Sequence, residues 1–128
     1  GVKIDLIVRG ICCLIPGRKY SRNIRVTRIV DTFLEHARVW YFGNGGKPKL
    51  FLGSPDWMRR NLYRRIEAVT PILDPDLKRE LSDMLSIQLS DKRKACFVDD
   101  HLRNRWKSAR PQKEKIRSQY TFYEYLKG

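Results

Sequence analysis

The chain has 128 residues, a length that suits one domain around one hydrophobic core. With 41% hydrophobic, 32% charged and 11% aromatic residues it is not a disordered tail, and no apolar run approaches the roughly 20 residues that span a bilayer. Against 14 Asp and Glu stand 27 Lys and Arg, a net charge of +13, so an anionic partner is expected: nucleic acid, an acidic membrane surface or a phosphate-rich substrate. The N-terminus lacks a basic start followed by a long apolar stretch and a small-residue cleavage site, and a cytoplasmic location is the expectation. Cys12 and Cys13 lie inside the apolar run Ile11-Cys12-Cys13-Leu14-Ile15. That setting predicts a buried strand in a reducing compartment, and neither a disulfide framework nor a zinc site.

In chain order, Val2 to Ile15 reads as a core strand with a bend at Gly10, because Ile4, Leu6 and Val8 alternate before a second apolar run begins. Pro16 to Asn23 is a polar, basic loop, and Ile24 to Ile29 resumes alternation. A short helix is predicted from Val30 to Glu35, with Phe33 and Leu34 inward. Ala37 to Phe42 and Leu50 to Leu52 are two strand-like runs around Gly43-Asn44-Gly45-Gly46, and an Asn-Gly pair in such a place predicts a hairpin. Asn61 to Ile72 reads as a strand ending at Pro71. Asp74 and Pro75 then form a helix start, with Leu77, Leu81, Met84 and Leu85 on one face. After a turn at Asp91 to Lys94, Ala95 to Val98 reads as a short strand and Asp99 to Gln112 as irregular, with a basic loop from Arg103 to Lys115. A closing helix is predicted from Glu114 to Leu126, burying Ile116, Tyr120, Tyr123 and Leu126. No internal repeat is visible, and strands interleaved with helices predict an α/β or α+β domain.

Histidine chemistry must use His36 or His101, as the chain has 2 histidines. His101 stands among charged residues in Asp99-Asp100-His101-Leu102-Arg103 and reads as solvated. His36 has a plain reading too, since a histidine in a helix's last turn stabilises the helix dipole. Its neighbours in sequence point further. Arg38 follows at two residues, the backbone of Gly43-Asn44-Gly45-Gly46 can cradle a phosphate, and Gly53-Ser54 leads on to Asn61. A histidine that moves a proton, a cation that neutralises oxygens, and small polar groups that orient them are the parts needed for phosphoryl transfer. The spacing is a loosened form of the His-x-Lys…Gly-Ser…Asn pattern of the phospholipase D superfamily, with Arg38 in the place of lysine and Asn44 near the place of the aspartate. Two other classes remain open on residues alone. One is a single-strand nucleic-acid module, against which Trp40, Tyr41, Phe42 and Phe51 read as core-strand residues. The other is a phospholipase D-like hydrolase or nuclease that dimerises to complete its site.

Longer strings are far more specific. Asp5 to Leu14 (DLIVRGICCL), Ser21 to Val26 (SRNIRV), Ile29 to Phe42 (IVDTFLEHARVWYF) and Gly53 to Leu62 (GSPDWMRRNL) together resemble the second catalytic domain of the polyphosphate kinases. The likeness continues through Arg64-Arg65-Ile66-Glu67 and Pro71-Ile72-Leu73-Asp74 to the end. This resemblance implies a single-domain α/β (α+β) fold, a phospholipase D-like mixed β-sheet flanked by helices. It also implies an enzyme that reversibly transfers the terminal phosphate of ATP to inorganic polyphosphate through a phosphohistidine, with that nucleophile in a preceding catalytic domain absent here. His36 then matches the family's second histidine, which assists at the transferred phosphate, and Arg9 an arginine on the nucleotide's phosphates. Arg38, Arg59 and Arg60 are the phosphate-binding candidates, with Asn44, Ser54 and Asn61 as secondary ones. Arg22, Arg64 and Arg65 are further cations for a polyphosphate path, where guanidinium forks suit phosphate oxygens. Mg2+ is expected with ATP, its ligands outside this chain, since Asp99-Asp100 reads as a turn. The implied partners are ATP or ADP, polyphosphate, the preceding domain and further copies in a homo-oligomer, with no nucleic acid and with peripheral membrane contact compatible. The isolated chain is expected to be inactive.

Overall fold

A computed structural model describes residues 1–108 and 116–128 of the chain. Among them are seven strands and three α-helices: β1 (Ile4–Ile7), β2 (Ile24–Ile29), β3 (Val39–Phe42), β4 (Lys49–Gly53), α1 (Arg59–Arg64), β5 (Val69–Ile72), α2 (Pro75–Ser90), β6 (Ala95–Val98), β7 (Asn104–Trp106) and α3 (Ser118–Lys127). They divide into two units, one built from Gly1–Phe33 and Met84–Gly128, the other from Leu34–Asp83. The expected mixed α/β class is the one observed.

In the first unit the sheet order is β1-β2-β6-β7, with β1 and β2 parallel and the other pairs antiparallel. The two central strands are the most apolar. Val26 and Ile29 of β2 and Ala95, Cys96 and Val98 of β6 are buried, each large aliphatic side chain contributing roughly 1.5–3 kcal/mol. Asp91, fully buried, anchors the start of β6. Its Oδ1 accepts from the backbone N–H of Arg93, Lys94 and Ala95 at 2.8, 2.7 and 3.1 Å, and its Oδ2 from Ser118 at 2.7 Å, so one carboxylate satisfies the amides that begin both β6 and α3.

The second unit is the sheet β3-β4-β5, antiparallel throughout, with α1 between β4 and β5. The predicted hairpin is present. Asn44, Gly45 and Gly46 take φ of 45°, 61° and 87°, a left-handed run that glycine and asparagine adopt most readily, and this is why the turn is written Asn-Gly-Gly. Pro71 sits in β5, an edge strand, where its missing N–H removes no ladder bond from a central position. At Gly53 a Cβ would lie 2.8 Å from Cζ3 of Trp40 and 2.9 Å from Cγ2 of Val69. The indole covers this glycine, so a residue with a side chain does not fit without repacking.

Several sequence expectations are corrected. The strand predicted over Val2 to Ile15 stops at Ile7, and the Ile11–Ile15 run is irregular, with Ile11 and Cys13 exposed and Cys12 half-buried. Instead of pairing, that run accepts local bonds, Ser21 Oγ donating to the Ile15 carbonyl at 2.6 Å. Val30 to Glu35 is not a helix and leaves Phe33 and Leu34 exposed; Asp31 Oδ1 accepts the Thr32 N–H at 2.8 Å, and such local bonding competes with helix formation. Asn61 to Ile72 is not one strand but the end of α1 followed by β5. The helix start at Asp74-Pro75 is as expected, with Asp74 Oδ1 capping the N–H of Asp76 and Leu77 at 2.9 and 3.0 Å, although none of its apolar face is fully buried and Leu77 is exposed. The stretch called irregular after Val98 contains β7. The closing helix starts only at Ser118; Ser118 and Gln119 are buried, while Tyr120, Tyr123 and Leu126, and Ile116 ahead of the helix, are exposed. Its expected first residues, Glu114 and Lys115, and much of the basic loop lie outside the described residues.

Candidate active site

Register brings together residues that are far apart in sequence. Gly53 N–H donates to the Arg38 carbonyl at 3.0 Å and Ser54 N–H to the Ala68 carbonyl at 3.0 Å, which places His36, Arg38, Gly53-Ser54 and Ala68 at one end of the β3-β4-β5 sheet. A shallow cleft there is lined by His36, Ala37, Arg38, Leu52, Gly53, Ser54, Ala68 and Thr70.

His36 is exposed in an irregular segment just before β3, so the helix-dipole account of it does not apply. Its orientation comes from Arg38. The Arg38 Nη1 lies 3.1 Å from Nδ1 of the imidazole and Nη2 lies 3.0 Å from Nε2, while Nη1 also donates to the His36 carbonyl at 3.0 Å. A guanidinium only donates and a neutral imidazole has one acceptor nitrogen, so one ring contact at a time is a hydrogen bond. Nε of Arg38 donates to Asp56 Oδ1 at 2.9 Å. That bond holds the Asp56 carboxyl below the usual carboxylate range, aided by the charge of Arg60, and raises the Arg38 guanidinium in turn. Asp56 is therefore the anchor of Arg38, and Arg38 the anchor of His36.

A second set lies alongside. Ser54 Oγ donates to Glu67 Oε2 at 2.5 Å and accepts the Ala68 N–H at 3.2 Å; Asn61 Nδ2, on buried Asn61 of α1, donates to Glu67 Oε1 at 2.9 Å. Glu67 thus ties the serine to the asparagine with its two oxygens, and its charge also reaches Arg38. Glu67 was not among the residues singled out from the sequence. The available signal was its isolation: it is the sole acidic residue between Asp56 and Asp74, in a stretch with four arginines.

Other candidates are placed apart from this group. Asn44 sits in the hairpin turn at the opposite end of β3 and β4, its Nδ2 donating to the Lys47 carbonyl at 3.0 Å, so it serves the turn and does not join the cluster. Arg59, Arg60 and Arg64 are exposed on α1, with Arg65 exposed just after it. Arg60 is close enough to act on Asp56, whereas Arg59 lines a separate depression with Leu62, Tyr63 and Arg64. Arg9, in the first unit, follows β1 and is half-exposed, and among the described residues it makes no ion pair; Arg22 is exposed on its loop. His101 is exposed, with Nε2 3.8 Å from Asp100 Oδ1. Asp99 closes the turn expected of it, accepting the N–H of His101 and Arg103 and pairing with Arg103 and Arg105, which depress its carboxyl. Among the described residues no group of three or more His, Cys, Asp and Glu side chains is gathered as for a metal ion. Nor is any helix among them long and apolar enough to cross a membrane. The four aromatics weighed against nucleic-acid stacking do lie in β3 and β4, but Tyr41 and Phe42 are exposed.

Comparison with known proteins bears on all of this. A family described as "Polyphosphate kinase C-terminal domain 2" matches residues 1–119. The chain is 48% identical over 129 aligned residues to the polyphosphate kinase of Escherichia coli strain K12, covering 100% of this chain and 19% of that protein. It is 57% identical over 96 residues to the polyphosphate kinase of Synechocystis, covering 74% of this chain and 13% of the relative. The crystal structure of polyphosphate kinase from Porphyromonas gingivalis superposes with a TM-score of 0.94 at 57% identity over 99% of this chain and 19% of that one. The matched stretch thus spans between 13% and 19% of the length of these relatives.

Proposed function

We propose a function from one premise: the chain belongs to the polyphosphate kinase family, as its C-terminal domain 2. In our reading the full-length protein reversibly transfers the terminal phosphate of ATP to polyphosphate through a phosphohistidine carried by a preceding catalytic domain, and this domain supplies the assisting half of the site. The observation that carries the reading is the His36–Arg38–Asp56 chain of contacts beside Ser54 and Glu67.

Each group has a part. His36, exposed and oriented by Arg38, gives or takes a proton at the oxygen of the phosphate in transit, a role worth about 10²–10⁴ in rate. Arg38 shares its charge with Asp56, so surplus positive charge at the phosphates comes from Arg60 and Arg59 with Arg9 on the nucleotide. Ser54, its hydroxyl held by Glu67, presents a small polar group at the cleft, and Asn61 braces that carboxylate. Mg2+ enters this reading as part of the ATP substrate; the described residues offer no ligand set for it, and its binding falls to the nucleotide's phosphates and the preceding domain. The working enzyme, in the same reading, is a cytoplasmic homo-oligomer whose basic surface is compatible with peripheral membrane contact, and nucleic acid is not its partner.

The test is synthesis of polyphosphate by full-length protein. His36→Ala and Arg9→Ala should each lower it by roughly 10²-fold or more with the fold intact. A near-normal rate in either variant removes that residue from the site, and synthesis by the isolated chain would place the nucleophile here instead.

A further inference from the structure

We infer that Arg28, on β2, is a positioning residue for Arg9, holding to the sheet of the first unit the bend on which that arginine stands. The inference rests on the role given to Arg9 above.

β1 ends at Ile7, and the N–H of Val8 still donates to the Thr27 carbonyl at 2.9 Å, continuing the parallel pairing with β2. Arg9 and Gly10 then form a bend outside any strand. Arg28, the residue after Thr27, takes over at this point: its Nη2 donates to the Gly10 carbonyl at 3.1 Å. Both neighbours of Arg9 are therefore tied to consecutive residues of one central strand. Adjacent Cα atoms are about 3.8 Å apart, so the Arg9 backbone is fixed from each side by a residue one step away. The Arg9 side chain is half-exposed and makes no hydrogen bond or ion pair among the described residues, so its backbone sets where the guanidinium starts.

Arg28 is itself held. Its Nη1 donates at 2.9 Å to Oδ1 of Asn104, the first residue of β7. In the order β1-β2-β6-β7, this guanidinium links β2 across β6 to β7 on one side and to the chain leaving β1 on the other. The Arg28 Nε is buried without a partner among the described residues, a desolvation cost that the two Nη bonds offset. A planar fork keeps both acceptors at once, whereas lysine offers a single ammonium on a flexible stem and methionine no donor. β2 has its own anchors in buried Val26 and Ile29, so the strand survives a change at Arg28 while the bend loses its tie.

The experiment uses full-length polyphosphate kinase with Arg28→Met, which keeps an apolar stem and loses both bonds, and Arg28→Lys, which keeps the charge and loses the fork. Because a misplacement of about 1 Å can cost 10²-fold, kcat/KM for ATP should fall roughly 10- to 100-fold in Arg28→Met and by about threefold or more in Arg28→Lys. Affinity for long-chain polyphosphate should stay within about twofold, a split that a general loss of structure would not give. In an Arg9→Ala background, Arg28→Met should cost nothing more in kcat/KM; a full additional loss shows that Arg28 does not act through Arg9 and overturns the inference. If Arg28→Met does not fold, Arg28→Lys carries both comparisons. Wild-type kcat/KM in the Arg28 variants, with Arg9→Ala impaired, overturns the positioning role alone. Wild-type kcat/KM in Arg9→Ala itself removes the reading of Arg9, and the positioning role falls with it.

Discussion

Arg38 has most of its donors committed inside the site: one to Asp56, one to the His36 carbonyl, and others facing the imidazole. The planar fork is what allows this, because its nitrogens lie in one plane at fixed spacing, whereas lysine offers a single ammonium on a flexible stem. Arg38→Lys should therefore lower kcat by about tenfold or more with little change in melting temperature, since it frees the imidazole and leaves the exposed Asp56 to water. Equal rates for Arg38→Lys and wild type would mean that the fork does not orient His36. Glu67 is the corresponding case for the neighbouring set. Glu67→Ala leaves the Nδ2 of buried Asn61 without its acceptor, at a cost of about 1–3 kcal/mol, and releases the Ser54 hydroxyl. Thermal unfolding measures the first effect, and the rate of synthesis the second.

Elements differ in how far the sequence alone reveals them, and the difference follows the range of the interactions that define them. The start of α2 and the β3-β4 hairpin rest on local chemistry, an aspartate cap before a proline and a left-handed Asn-Gly-Gly turn, and both are readable from the sequence. The segment up to Phe33 is not, because its backbone is held by a glutamine more than eighty positions later in the chain, and apolar spacing at Phe33 and Leu34 imitates a helix. Likewise Glu67 gains its meaning only when β4 and β5 pair. His36, Arg38, Ser54 and Asn61 could be picked by residue type, but their grouping, and the exclusion of Asn44 from it, needed the register. Asp91 shows the same dependence on distant partners and yields a prediction. Burial, the largest single influence, pushes its carboxyl upward, but the N–H donors of Lys94, Ser118 and Arg93 outweigh it and the net direction is down; Asp31 is lowered chiefly by its bond to Arg117. Carboxyls held below their unfolded value near ~3.9 stabilise the fold above that pH, and the contribution is lost as pH falls through the folded values. Melting temperature should hold from neutral to about pH 5 and then drop below about pH 4. Asp91→Asn, which loses an acceptor for buried amides, should be less stable by about 3 kcal/mol at neutral pH and show a smaller acid loss; an acid profile identical to wild type would contradict the account.

At the scale of the whole chain, the net charge of +13 and the type of cation matter more than any single contact. Four arginines, Arg59, Arg60, Arg64 and Arg65, are exposed on or just after a six-residue helix, so under the proposed function an anionic polymer bound there would meet guanidinium forks. If about four phosphates are neutralised, the counterion-release slope for single strands makes affinity for long-chain polyphosphate fall by roughly 50-fold between about 50 and 200 mM salt. A change of less than about threefold over that range would mean that the cationic surface does not hold the polymer. Single-stranded DNA of equal charge separates the two anionic readings. A polyphosphate site offers forks and no base-stacking platform, so DNA should bind more weakly at every salt concentration, and mutation of exposed Tyr41 or Phe42 should leave polyphosphate affinity unchanged. Tighter binding to DNA, lost on replacing those aromatics, would assign this surface to nucleic acid instead.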